Sequence, residues 1–170
     1  MKEGGGGDSL AVAWQYPGQP RNVIPARFSR TEFTWMDDWK LPIFGARLDT
    51  WTGIAGNTIE ELMSGTNNLA SPPQMSEILF MLLEAPNLGI DKYGSRMSGW
   101  LVPPVTGDYI FWIASDDNGE LWLSTDDNPA NTYLACSQPF SSGSREWDEY
   151  AEQKSGTISL VAGQAYFYEV

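Results

Sequence analysis

The chain has no histidine, one cysteine, no basic run and no apolar stretch long enough to span a bilayer. Each absence excludes something. Without imidazole there is no Ser-His-Asp or Cys-His catalysis and no histidine metal site. Cys136 has no partner for an internal disulfide, which leaves the redox compartment open; a small buried strand residue is its expected role. Ten basic residues stand against 22 acidic ones, for a net charge of −12. Phosphate binding leans on clustered Lys and Arg, so nucleic acid is not an expected partner. The most hydrophobic run, Ile78–Leu83, is too short for a membrane helix and reads as part of a buried strand over Glu77–Glu84. The opening MKEGGGGDS lacks the apolar core of a signal peptide. If the protein is exported, its signal has been removed or belongs to a longer precursor.

What remains is rich in strand formers and turn residues. Aromatics make up 13% of the 170 residues, with 17 glycines and 11 prolines, the profile of one β-rich domain of many short strands. The stretch Gly107–Ser124, GDYIFWIASDDNGELWLS, reads as a hairpin. Tyr109, Phe111 and Ile113 fall on one face of the first strand, and Leu121 and Leu123 share a face of the second, the period-two pattern of a sheet. The turn between them, Ser115–Glu120, sets three carboxylates and a carboxamide within six residues. Oxygen-only ligands in that density suit calcium, which takes six to eight oxygens in flexible geometry. The same composition also suits a solvated polar turn.

Elsewhere, a glycine run (Gly4–Gly7) and Asp8 precede an alternating strand, Ser9–Trp14. Those glycines serve either as a flexible linker or as backbone that must approach something closely. Residues 21–47 read as an aromatic connector. Asn57–Gly65 is the one short helix, with Thr58 and Glu61 forming a capping box and Gly65 the stop. Further strands are expected at Leu48–Ile54, Tyr93–Leu101, Tyr133–Cys136, Gly156–Leu160 and Gln164–Val170, with Asp126–Pro129 as a turn. No internal repeat is visible.

The run GWLVPPVTGDYIFWIASDDNGELWLSTDDNPAN, with SREWDEY and SGTISLVAGQAYFYEV after it, resembles the domain family named after anthrax protective antigen. That family includes the lectin domains of yeast flocculins and adhesins. TWTGIAGNTIEELM and DKYGSRMSGW are similar to its opening segments. The resemblance implies an all-β fold, an antiparallel β-sandwich of jelly-roll character. It also implies a departure in order. In bacterial relatives, a strand resembling AYFYEV runs on into a segment resembling MKEGGGGDSLAVAW, which here opens the chain. Residues 1–170 are thus expected to form a single domain. Its 1–20 strand segment completes the sandwich of its own or of a neighbouring copy, through a circular permutation or strand exchange along a repeating fibre.

Sugar-binding members hold calcium with paired aspartates in a turn, often joined by a cis peptide, and glycan hydroxyls complete the metal's shell. Asp116 and Asp117 match that pair. Asp8 matches the aspartate of the family's glycine-rich loop, Gly6 is the expected carbonyl donor, and Asn118 is a further ligand-binding candidate. Trp100, Trp112, Trp122 and Trp147 are available for stacking on sugars, although most such rings belong in a sandwich core. The expected function is an extracellular, calcium-binding, glycan-binding adhesion module of a larger surface protein. The alternative is a structural fibre subunit pairing with other copies of itself. Neither membrane insertion nor enzymatic activity is expected, because no acid is paired with a means of raising its pKa.

Overall fold

The computed structural model describes residues 2–3, 9–31, 44–64 and 71–170. In chain order the strands are β1 (Lys2–Glu3), β2 (Ser9–Gln15), β3 (Asn22–Val23), β4 (Ser29–Arg30) and β5 (Ala46–Thr52). The helix α1 (Ile59–Ser64) follows, then β6 (Met75–Leu79), β7 (Tyr93–Leu101), β8 (Gly107–Asp116) and β9 (Gly119–Ser124). The chain closes with β10 (Thr132–Gln138), β11 (Ile158–Leu160) and β12 (Tyr166–Glu169). Two antiparallel sheets result. The larger runs β10-β9-β12-β7-β5-β6, with β1 and β4 also on β7; the smaller runs β11-β8-β2-β3. Among the described residues this is the all-β sandwich that the resemblance implies, with the one short α-helix that the capping box marks.

Alternation decides which side chains meet between the sheets. Leu10, Val12 and Trp14 of β2, with Tyr109, Phe111 and Ile113 of β8, face Tyr93, Met97 and Leu101 of β7 and Leu121 and Leu123 of β9. Trp14 is the aromatic centre, with ring centroids 5.2 Å from Tyr16 and 5.4 Å from both Phe28 and Tyr109. Two polar groups enter this interior as a satisfied pair: the hydroxyls of Tyr168 and Ser29 lie 2.7 Å apart. Burial pushes the Tyr168 phenol well above its ordinary range.

Cys136 sits in the same core, 5% exposed. Burial pushes its thiol up to about 12 from an ordinary 9.0, partly opposed by a backbone hydrogen bond to Ile113. Only the thiolate is a good nucleophile. The native chain is therefore expected to resist a thiol-reactive dye at pH 8, whereas the urea-unfolded chain reacts within the mixing time. The raised value also favours the fold below pH 9.0, and this contribution is lost as pH climbs toward about 12.

Three sequence expectations change. Gly107–Ser124 is not a hairpin: β8 pairs with β2 and β11, while β9 pairs with β10 and β12. The turn is an arch that carries the chain from one sheet to the other. Both strands bury the same kind of apolar face, and facing each other across the core buries both at once. The second change concerns Glu77–Glu84, which is not one buried strand. β6 ends at Leu79, Phe80 and Met81 are 68% and 84% exposed, and Leu83 returns to the core. Leu83 is bound there through its N–H to Ile24 O at 2.8 Å.

The third is that residues 21–31 are part of the sandwich: β3 pairs with β2, and β4 pairs with β7. The rest of the aromatic connector lies mostly outside the described residues. The amino-terminal strand takes one of the two partners expected for it. β2 pairs along its whole length with β8 of its own chain, from Ser9 opposite Asp116 to Gln15 opposite Ile110. β1 and β12 also share one chain's β7, Lys2 standing opposite Gly94 and Glu169 opposite Ser98. β5 and β4 take up β7's other side.

The helix begins as its sequence dictates. Glu61 N–H donates to Thr58 Oγ1 at 3.2 Å, and Thr58 N–H donates back to Glu61 Oε2 at 3.0 Å, the reciprocal capping box. Its apolar side, Ile59 and Leu62, packs with Trp51 and Ile54 on the outer face of the larger sheet. Gly94 permits this docking, because a Cβ there would collide with the Leu62 methyls.

Candidate functional site

The arch at one rim of the sandwich carries two of the sequence-predicted acids, Asp116 and Asp117. Asp116 closes β8, Gly119 opens β9, and the Asp116–Asp117 peptide between the sheets is cis. Ser115 Oγ donates to Asp117 O at 2.9 Å. A Cβ at Gly119 would run into that same hydroxyl, so close approach of the two backbones requires glycine there. Both aspartates are half-buried at this rim.

Asn118 does something other than face a ligand with its carboxamide. Its Oδ1 accepts from Ile59 N–H at 2.9 Å, and its Nδ2 donates to Gln138 O at 2.7 Å. One side chain therefore ties the arch to the first residue of α1 and to the end of β10. Its use is to hold the two aspartates in place.

Gly6 and Asp8 lie outside the described residues. Ser9, the residue after Asp8, stands opposite Asp116 in the β2–β8 ladder, so the chain enters β2 beside the paired acids. Among the described residues no three acids, cysteines or histidines converge as a metal-holding group. Asp116 and Asp117 supply two hard carboxylate donors, a chemistry that fits calcium and leaves most of its six to eight oxygens to come from elsewhere. The cations Arg21 and Arg145 are held by acids other than the paired aspartates. Arg21 forks onto Asp148 with both bonds at 2.8 Å, and Arg145 onto Glu84 at 2.8 and 2.6 Å. The guanidinium of Arg21 draws Asp148 below the usual carboxylate range; that small surface contribution is present at neutral pH and lost as pH falls through the lowered value.

One rim residue escaped the sequence reading. Ser142 N–H donates to Ser115 O at 3.0 Å, which docks the loop after β10 beside the arch. Phe140, 67% exposed, projects from that loop with its ring 5.8 Å from Tyr150. A lone Phe in a Ser/Gly-rich loop carries no periodic signal; only the Gln138 and Ser142 contacts show where it stands. The tryptophans divide differently. Trp112 is 4% exposed and lies between Arg21 at 5.1 Å and Lys154 at 5.6 Å, so it is packing. Trp100, Trp122 and Trp147 are half-buried. The second acidic doublet is a turn: the Asp126 carboxylate accepts from Asn128 N–H at 2.9 Å and Asn131 Nδ2 at 2.7 Å.

A two-sheet scaffold presenting paired acids and an exposed ring at one rim, in a chain without histidine, defines a β-sandwich binding module. The chain belongs to the PA14 domain family, whose description matches residues 71–170, more than half its length. It is 29% identical over 163 residues, 91% of this chain, to the mouse N-acetyl-beta-glucosaminyl-glycoprotein 4-beta-N-acetylgalactosaminyltransferase 1 (Mus musculus). Over 86 residues, 45% of the chain, it is 29% identical to fibrocystin of the dog (Canis lupus familiaris). The chain spans 15% of the first relative's length and 2% of the second's. No solved structure matches it. The PA14 domain is a binding domain, and the likeness to a transferase through so small a share of that enzyme does not make this chain an enzyme. Among the described residues no helix is long and apolar enough to cross a membrane.

Proposed function

We propose that this domain is a calcium-dependent, glycan-binding adhesion module of a larger extracellular protein. Asp116 and Asp117 grip the ion, Asp8 and the Gly6 carbonyl add ligands from the chain entering β2, and glycan hydroxyls fill the remaining positions. Asn118 positions the arch, and Phe140 offers an apolar face at its edge. The observation that carries this reading is the paired carboxylates at the rim with Ser9 directly opposite Asp116. One relative and the family itself support the setting. The relative is named for a transfer to N-acetyl-beta-glucosaminyl glycoprotein, the chemistry of glycan chains, and the family's members occur in extracellular proteins. The fibre-subunit alternative has less in its favour, since β2 and β8 already satisfy each other's ladder within one chain.

A glycan array probed in calcium and again in chelator tests the proposal. Binding to a defined set of glycans that disappears in chelator is the expected result, with Phe140→Ala weakening it about tenfold. Equal signal in both buffers, or none in either, overturns it.

A further inference from the structure

A groove of about 550 Å³ opens on the outer face of the larger sheet, away from the interior between the sheets. Its volume lies within the range of small-molecule sites. Glu169 of β12 lies at its edge, paired with Ser98 of β7 on one side and Trp122 of β9 on the other. Trp122 of β9 and the α1 residues Ile59 and Met63 give it apolar walls, and Glu120, Glu169 and Arg96 bring charge to it.

These groups are arranged rather than scattered. The indole N–H of Trp122 donates to Glu120 Oε2 at 2.8 Å, which fixes the ring. Glu169 stands directly across from Trp122 in the β12–β9 ladder, and its carboxylate makes no hydrogen bond or ion pair among the described residues. Arg96 is held from behind, with its guanidinium 5.5 Å over the Trp51 ring and 3.5 Å from Asp49. Its Nε is buried without a hydrogen-bond partner among the described residues. A fixed aromatic face therefore meets the Glu169 carboxylate and a guanidinium anchored by Trp51 and Asp49, all around one concavity.

We propose that this groove is a second, calcium-independent carbohydrate subsite, taking one β-gluco-configured pyranose (a glucose or N-acetylglucosamine ring). In such a ring every hydroxyl and the N-acetyl group lie at the equator, and both faces present only C–H groups. One face stacks on Trp122 while equatorial hydroxyls donate to Glu169 and accept from Arg96. An axial hydroxyl leaves only one of the two faces free to stack and moves that hydroxyl off the equator, away from the partners that Glu169 and Arg96 offer, which costs binding. An anion is disfavoured by two carboxylates set against one guanidinium. The proposal shares with the preceding one the idea of a glycan-binding domain, but it involves neither Asp116 nor Asp117.

The test is a titration of ¹⁵N-labelled protein with cellobiose, N,N′-diacetylchitobiose and, as the axial control, methyl β-galactoside. It is run entirely in EGTA and follows the Trp122 indole N–H, assigned with Trp122→Phe. The expected result is a saturable shift of that resonance by cellobiose or chitobiose and a much weaker one by galactoside. Glu169→Gln, a surface change that leaves the fold intact, weakens binding about tenfold, and Asp116→Asn leaves it unchanged. An indole resonance unmoved by every sugar in EGTA overturns the subsite. So does a shift that appears only with calcium, or one equal for all three sugars. Because calcium is absent, failure here leaves the Asp116–Asp117 reading standing. Loss of calcium-dependent array binding, conversely, leaves this groove standing.

Discussion

Calcium is expected to raise the melting temperature of the wild-type chain by about 5–11 °C and to leave that of Asp116→Asn/Asp117→Asn where it is in chelator. The size follows from linkage. An ion that binds only the folded state at a hundred times its dissociation constant stabilises it by about 2.7 kcal/mol. In a chain of this length each kcal/mol moves the midpoint by roughly 2–4 °C. The doubly substituted chain keeps the shape of both side chains and removes their charge, so what is lost is affinity for a cation and not packing. The comparison is made within each protein, with and without chelator, which cancels any change in baseline stability. Magnesium at the same concentration should do far less. Its tighter octahedral shell dehydrates reluctantly, and two carboxylates on an arch do not replace it. An equal calcium shift in the substituted chain would mean that the ion binds elsewhere, and no shift in either would remove the metal from the proposal.

Legibility in the sequence tracked the range of the interaction. Local signals were readable: the Thr58–Glu61 box, the alternation of Tyr109, Phe111 and Ile113, and the acidic Ser115–Glu120 turn all act within a few residues. Whether β8 and β9 pair or face each other was not readable, because both arrangements bury the same alternate residues. Only the partners β2 and β12, distant in sequence, decide it. The hydrophobic run Ile78–Leu83 misled for a related reason. Hydrophobicity reports the mean environment, whereas here the chain leaves β6, exposes Phe80 and Met81, and turns back at Leu83. At the site, residue types pointed to Asp116 and Asp117. The brace that Asn118 makes between α1 and β10 spans 59 residues in one direction and 20 in the other, a geometry with no sequence period.

Trp14→Ala is expected to be the most damaging single substitution, and it also distinguishes the two architectures compatible with the sequence. Trp14 is 2% exposed, and its ring meets Tyr16, Phe28, Tyr109 and Phe111 at 5.2–6.4 Å. Truncating a buried Trp costs about 3–5 kcal/mol, the lost transfer energy plus the cavity left behind. That is about a fifth or more of the stability of an ordinary domain, and it lowers the midpoint by about 6–20 °C in a chain of this length. Because β2 lies on β8 of the same chain from Ser9 to Gln15, the loss falls on the isolated molecule. The drop should therefore be the same at micromolar and at tenfold higher concentration, with one peak on size-exclusion throughout. Were β2 instead lent to a neighbouring copy, the same substitution would first break the assembly, and its effect on melting would shrink on dilution. A melting curve at two concentrations thus reads the fold and the mode of closure together.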